Sequence, residues 1–97
     1  MRNETYNGWK NRETWLVNMW YADTMLSIFT ENEVYYVGAD DVQTLAEDLI
    51  EAEVDLDSMK CGILADFIYG CLAEVDWFEL AQHLNVTLAD EYSELEK

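Results

Sequence analysis

The sequence predicts an all-α domain, a compact bundle of four or five helices. Three observations carry this: apolar residues recur at three- and four-residue spacing, capping residues stand ahead of those stripes, and only one short stretch favours extended backbone. The 97 residues include no proline, so helix boundaries must come from caps and glycines. Hydrophobic residues make up 51% of the chain and aromatic ones 13%. A chain of this size buries one core, covering somewhat over ~60% of its unfolded surface, so residues 1–97 are expected to form a single domain.

Asn7-Gly8 is a turn signal, and Asn11 is the expected N-cap of a first helix whose apolar positions are Trp15, Met19, Ala22, Leu26 and Phe29. Leu16 and Trp20 widen that stripe, which predicts a central helix with neighbours on more than one side. Val34, Tyr35, Tyr36 and Val37 have the propensity of a short extended segment ending at Gly38, but a lone strand has no partner, so the segment is read as a packed loop. Asp40 with Gln43 suggests a capping box for a second helix carrying Val42, Leu45, Ala46, Leu49 and Ile50.

Asp57 or Ser58 would cap a third helix, with Ile63, Leu64, Phe67, Ile68, Cys71 and Leu72 as its core face and Gly62 and Gly70 as places of close helix approach. Asp76 with Glu79 is another capping box, opening a short helix with Trp77, Leu80, Ala81 and Leu84 on its inner side. A fifth helix would start at Thr87 and use Leu88, Tyr92 and Leu95.

Chemistry that would mark an enzyme is sparse. The one histidine, His83, follows Glu79 by four residues, a spacing that puts both on one helical face; two ligands do not make a metal site, and an exposed Glu–His pair is the simpler reading. The run "DLDSMKCG" starts with Asp55 and Asp57 but has Met59 at the next ligand position, so it fails as an EF-hand. No glycine-rich phosphate loop is present, and no nucleophile is paired with a base. We therefore expect a non-catalytic protein with no cofactor and no metal. Cys61 and Cys71, ten residues apart in the expected third helix, would be ~15 Å apart along its axis, too far for a disulfide, and are read as reduced core residues.

The opening run "NGWKNRETWLVNMW" resembles the N-terminal signature of a family of small uncharacterised phage, plasmid and bacterial proteins, N-G-W-x-N-x-E-T-W-x-V, and "LAEVDWFELAQHL" is similar to that family's C-terminal element. The resemblance implies a mobile-element origin and brings no catalytic or ligand-binding residues. The run also has a plain structural reading. Asn7-Gly8 turns the chain, Trp9 folds back over the first helix, Asn11 caps it, Glu13 suits the helix dipole, and Trp15 and Trp20 supply buried area. The competing reading is a recognition surface built on Trp, Tyr, Arg2, Lys10 and Arg12.

Twenty-one Asp and Glu face five Lys and Arg, for a net charge of −16. Such a field repels nucleic acid and anionic membranes and speeds encounter with basic surfaces. Without a signal-like N-terminus or an apolar stretch near ~20 residues, the expected location is the cytoplasm, in the host cell if phage-encoded.

The densest acidic stretch, Asp40, Asp41, Glu47, Asp48, Glu51, Glu53, Asp55 and Asp57, is the candidate contact set for a basic partner. The leading expectation is a nucleic-acid mimic that inhibits a host defence nuclease complex, a CRISPR effector or restriction enzyme, by occupying its nucleic-acid groove, with no direct nucleic-acid binding of its own. The alternative is a small structural or adaptor protein, such as a homodimer, acting through an aromatic helix face, with the acidic surface serving only solubility.

Overall fold

The computed structural model describes residues 8–54 and 62–95. Four helices follow in order: α1 (Arg12–Glu31), α2 (Ala39–Val54), α3 (Gly62–Glu74) and α4 (Trp77–Leu95). The regular elements among the described residues are all helices, as expected for an all-α bundle, and residues 34–38 form an irregular connection. The core lies where α4 packs against both α1 and α2; Met25, Val42, Leu80 and Leu88 are fully buried there, and Val37 enters from the connection. The third helix sits to one side on α1, where Leu72 meets Ile50 in a smaller cluster.

Asn11 caps α1 from extended backbone (φ −153°, ψ 174°), its Oδ1 accepting the Thr14 N–H at 2.8 Å. The buried edge of the helix is Thr14, Val17 and Met25, which is rotated from the expected stripe. Trp15, Ala22, Leu26 and Phe29 pack beside that edge, but Met19 is half exposed and Trp20 is 70% exposed. The expected burial of Trp20 is therefore corrected, because the helix turns its Leu16–Trp20 side away from α2 and α4.

The far end of α1 closes in a Schellman motif. Glu33 N–H donates to the Thr30 carbonyl at 3.0 Å and Val34 N–H to the Phe29 carbonyl at 2.8 Å, with half-buried Val34 and Phe29 both packed on the core. The position between them needs left-handed backbone, and it holds Glu33 at φ 60°. A residue with a Cβ is strained there by about 1 kcal/mol. Glu33→Gly is thus expected to raise stability by about 0.5–1 kcal/mol in urea unfolding, with relief of one negative charge acting in the same direction. A variant less stable than the parent would show that the Glu33 side chain contributes something beyond this geometry.

Gly38 stands at the cap of α2: its carbonyl accepts the Val42 N–H, and its own N–H donates to Asp41 Oδ2 at 2.9 Å. This replaces the expected Asp40–Gln43 box. Helix starts two residues earlier because Gly38 fits the cap, and Gln43 instead donates to Glu47 one turn on, at 3.1 Å.

Two further expectations are corrected. No fifth helix starts at Thr87, since α4 runs unbroken to Leu95. Leu80, Ala81, Leu84 and Leu88 form one buried stripe across the expected boundary, and the side chain of Asn85, a residue type that competes for helix backbone groups, is engaged elsewhere. Its Oδ1 accepts the Val37 N–H at 2.8 Å and its Nδ2 donates to the Val37 carbonyl at 2.9 Å. That clamp satisfies both backbone groups of a buried residue in a connection with no strand partner, and it is why residues 34–38 can cross the core.

On α3, only Leu72 of the six expected core residues is buried; Ile68 and Cys71 are half-buried, and Ile63, Leu64 and Phe67 are exposed. Among the described residues its main packing partner is α1, so much of its apolar circumference stays exposed. Nor do its glycines serve close approach, because a Cβ at Gly62 or Gly70 would meet nothing within 4 Å. The expected cap at Asp57 or Ser58, and Cys61, lie outside the described residues.

Candidate functional site

The conspicuous opening run builds a junction, in which Lys10, Asn11 and Thr14 bond to other parts of the fold. Asn11 Oδ1 accepts a second hydrogen bond, from Thr14 Oγ1 at 2.6 Å, while Asn11 Nδ2 donates to the Glu74 carbonyl at the end of α3 at 2.7 Å. Fully buried Thr14 then accepts the Asp76 N–H at 2.9 Å. Asp76 caps α4 through the Glu79 N–H at 3.0 Å, and its other oxygen lies 3.7 Å from Lys10 Nζ. Glu79 Oε1 accepts the Lys10 N–H at 2.9 Å. The start of α1, the end of α3 and the start of α4 are thereby locked together by a chain of hydrogen bonds.

Trp9 extends this junction. It is buried in the core cluster that includes Val17 and Met25 of α1, and its ring lies against His83 of α4, centroids 4.0 Å apart at 33°. Glu79 and His83 do share a helical face, and both hold the N-terminal segment. Among the described residues no group of three or more His, Cys, Asp or Glu is placed to hold a metal ion. No helix of the described residues is long and apolar enough to cross a membrane.

The candidate acidic residues separate into groups. At ~100° per residue, Asp40, Asp41, Glu47, Asp48 and Glu51 fall within about one third of the circumference of α2, on the side opposite its buried Val42 and Ala46. Asp40, Asp41, Asp48 and Glu51 are exposed and Glu47 is half-buried. The band spans ~16 Å of helix axis, an average of about 4 Å between successive carboxylates, with the widest gap, ~9 Å, between Asp41 and Glu47. Asp41 also serves the Gly38 cap, and both Asp40 and Asp41 suit the positive end of the helix dipole. The two described cations, Lys10 and Arg12, are at the start of α1, and neither is on α2.

Glu53 stands apart from this band. Its Oε1 accepts the Tyr21 hydroxyl at 2.7 Å on the α1 side. Asp55 and Asp57 lie outside the described residues. Other exposed carboxylates, such as Asp23, Asp66, Asp90 and Glu91, are distributed over α1, α3 and α4.

A second feature has no counterpart in the candidate set. Between α1 and α3 runs an apolar groove of about 210 Å³, with Val17, Ile50 and Leu72 on its floor and Leu16, Trp20 and Cys71 on its walls. Exposed Phe67 was legible only as core, and Trp20 as core or as part of a recognition surface, because periodicity marks an apolar stripe without saying what covers it.

Two ionisable groups line the groove. Tyr21 is pushed up to about 12 by burial, by its hydrogen bond to Glu53 and by the charge of Glu53. The Cys71 thiol is raised by burial and by the carboxylate of Glu13, with Arg12 opposing. A raised Tyr21 makes the protonated phenol the form the fold prefers. Its contribution to stability is complete below pH 10 and is lost as pH rises through about 12. Difference titration of the parent against Tyr21→Phe is expected to show one of the six tyrosines ionising late. A Glu53→Gln variant should bring that step earlier.

The chain belongs to DUF7249, a family of unknown function, whose profile matches residues 2–81 and so takes in the N-terminal junction and the first turn of α4. No curated protein and no solved structure matches the chain.

Proposed function

Membership of a family with no assigned activity leaves the reading to the chemistry of the surface, and we propose that the protein is a non-catalytic, acidic nucleic-acid mimic that inhibits a basic nucleic-acid-binding complex. The partner class is a host defence nuclease, either an RNA-guided effector or a restriction enzyme, met in the cytoplasm of the host. The carrying observation is the band Asp40–Asp41–Glu47–Asp48–Glu51. Its average spacing of about 4 Å per carboxylate is of the same order as the ~3.4 Å per phosphate of one DNA strand, and it is mounted on a helix, which keeps the charges in fixed relation. A Lys/Arg groove that binds phosphates through point charges can bind such a row, and the net charge of −16 accelerates the encounter.

The test is competition. With purified restriction and RNA-guided nucleases, the protein should displace DNA or guide RNA from at least one of them. That displacement should weaken steeply as salt rises from about 50 to 200 mM. Absence of displacement across both classes, or displacement indifferent to salt, would remove the proposal. A second reading, an adaptor working through aromatic residues with the acid serving solubility, is favoured by one observation: Trp20 and Phe67 are 70% and 67% exposed on a chain otherwise rich in carboxylates.

A further inference from the structure

The groove between α1 and α3 is built like a binding cleft. Val17, Ile50 and Leu72 form a buried floor, whereas the walls are open: Ile68 and Cys71 on α3 stand opposite Leu16 and Trp20 on α1, and exposed Leu64 and Phe67 continue the apolar surface of α3 beside Ile68 and Cys71. With Met19 and Ile63 at the flanks, the exposed parts of these apolar side chains come to roughly 600 Å². That is the upper end for a patch on a soluble monomer and approaches the ~800 Å² per side of a specific interface. Among the described residues, Ile63, Leu64 and Phe67 leave this face of α3 exposed.

The rim is acidic. Glu13 precedes Leu16, Val17 and Trp20 by three, four and seven residues and so shares their face, and Glu53 is bound to Tyr21, which lies a rise of ~12 Å along α1 from Glu13 and marks the other end. Asp23 follows Trp20 on α1, and Asp66 and Glu74 flank Phe67 and Cys71 on α3. Arg12 is the one described cation nearby. A second copy of the chain would bring the same carboxylates and another −16 against this rim, so charge disfavours it as the occupant.

We propose that the α1–α3 groove is a docking site for an amphipathic helix of a partner protein whose apolar anchors are flanked by Lys and Arg. About two turns of such a helix match the rise from Glu13 to the Tyr21–Glu53 pair, with anchors at i, i+3 or i+4, and i+7 entering beside Trp20 and Phe67. Basic residues just outside those anchors meet the two end carboxylates. The inference is independent of nucleic-acid mimicry, since the acidic band lies on the outer face of α2 and the groove does not include it.

The experiment is a selection from a library of helical peptides of about 16 residues, randomised at all positions and counter-selected against the Trp20→Lys/Phe67→Lys variant. Both substitutions fall on exposed side chains, so the core is untouched, and circular dichroism verifies the fold. Expected are peptides with helical-period apolar anchors and Lys or Arg at their flanks. Binding of these peptides should fall about thirtyfold in Trp20→Ala and severalfold in Glu13→Gln/Glu53→Gln. Enrichment of basic peptides without periodic apolar anchors, or of none beyond the counter-selected variant, would overturn the inference. So would sedimentation showing a dimer that Phe67→Lys dissolves, which would assign the groove to a second copy.

Discussion

Asn11→Ala is expected to destabilise the protein by about 2–3 kcal/mol, a large part of the ~5–15 kcal/mol that holds a domain of this kind together. The side chain caps α1, and loss of a cap alone costs about 1 kcal/mol. It also gives the Glu74 carbonyl its Nδ2 donor and receives the hydroxyl of fully buried Thr14, so truncation strips partners from groups on two helices. The fall in melting temperature should be roughly 10–20 °C.

Asn11→Asp separates the two roles. Aspartate is as good a cap as asparagine, so a residue that served only α1 would tolerate the change. Here the new carboxylate would oppose the Glu74 carbonyl, and a loss of about 1–2 kcal/mol is expected. Equal stability of Asn11→Asp and the parent would show that the bridge to α3 contributes nothing.

The second large effect concerns binding. Asp40→Lys/Asp48→Lys/Glu51→Lys replaces three exposed carboxylates on one face of α2, and three reversals of two units each take the net charge from −16 to −10. Inhibition of the nuclease identified by competition should weaken about a hundredfold or more, because each new cation faces a groove built for phosphate. Stability should be unchanged or slightly higher. Asp40 loses a few tenths of a kcal/mol of helix-dipole interaction, and relief of self-repulsion offsets it. The same reversals at Asp90, Glu91 and Asp66, on other helices, preserve the charge change without the geometry and should leave inhibition within severalfold of the parent. An equal loss in both triple variants would mean that bulk charge, and not the band, is what the partner senses.

How much of this was legible in the sequence depends on whether the signal was local. The caps Asn11 and Asp76 act on N–H groups three residues away, and both could be read. The second half of each was out of reach, because Glu74 and Thr14 lie about 60 residues from their partners along the chain. Glu79 looked like a capping-box residue, yet its carboxylate goes to Lys10. Asn85 gave no signal at all, since an asparagine in mid-helix is usually a surface residue and its partner, Val37, is 48 positions away.

The third helix failed differently. Its apolar residues are dense enough to read as core from any side, and only the placement of α3 at the edge of the bundle separates buried Leu72 from exposed Phe67. The densest acidic stretch was legible as composition, and the helical period places five of its eight residues, Asp40, Asp41, Glu47, Asp48 and Glu51, on one face of α2. Glu53 is not among them, because two more residues carry it around to Tyr21.

Carboxyl footprinting of the protein in complex with the competing nuclease tests the functional claim most directly. The account predicts that carbodiimide labelling of Asp40, Asp48 and Glu51 is suppressed in the complex while Asp90 and Glu91 label as they do in the free protein. Unchanged labelling along α2 in a complex that still excludes DNA would contradict it.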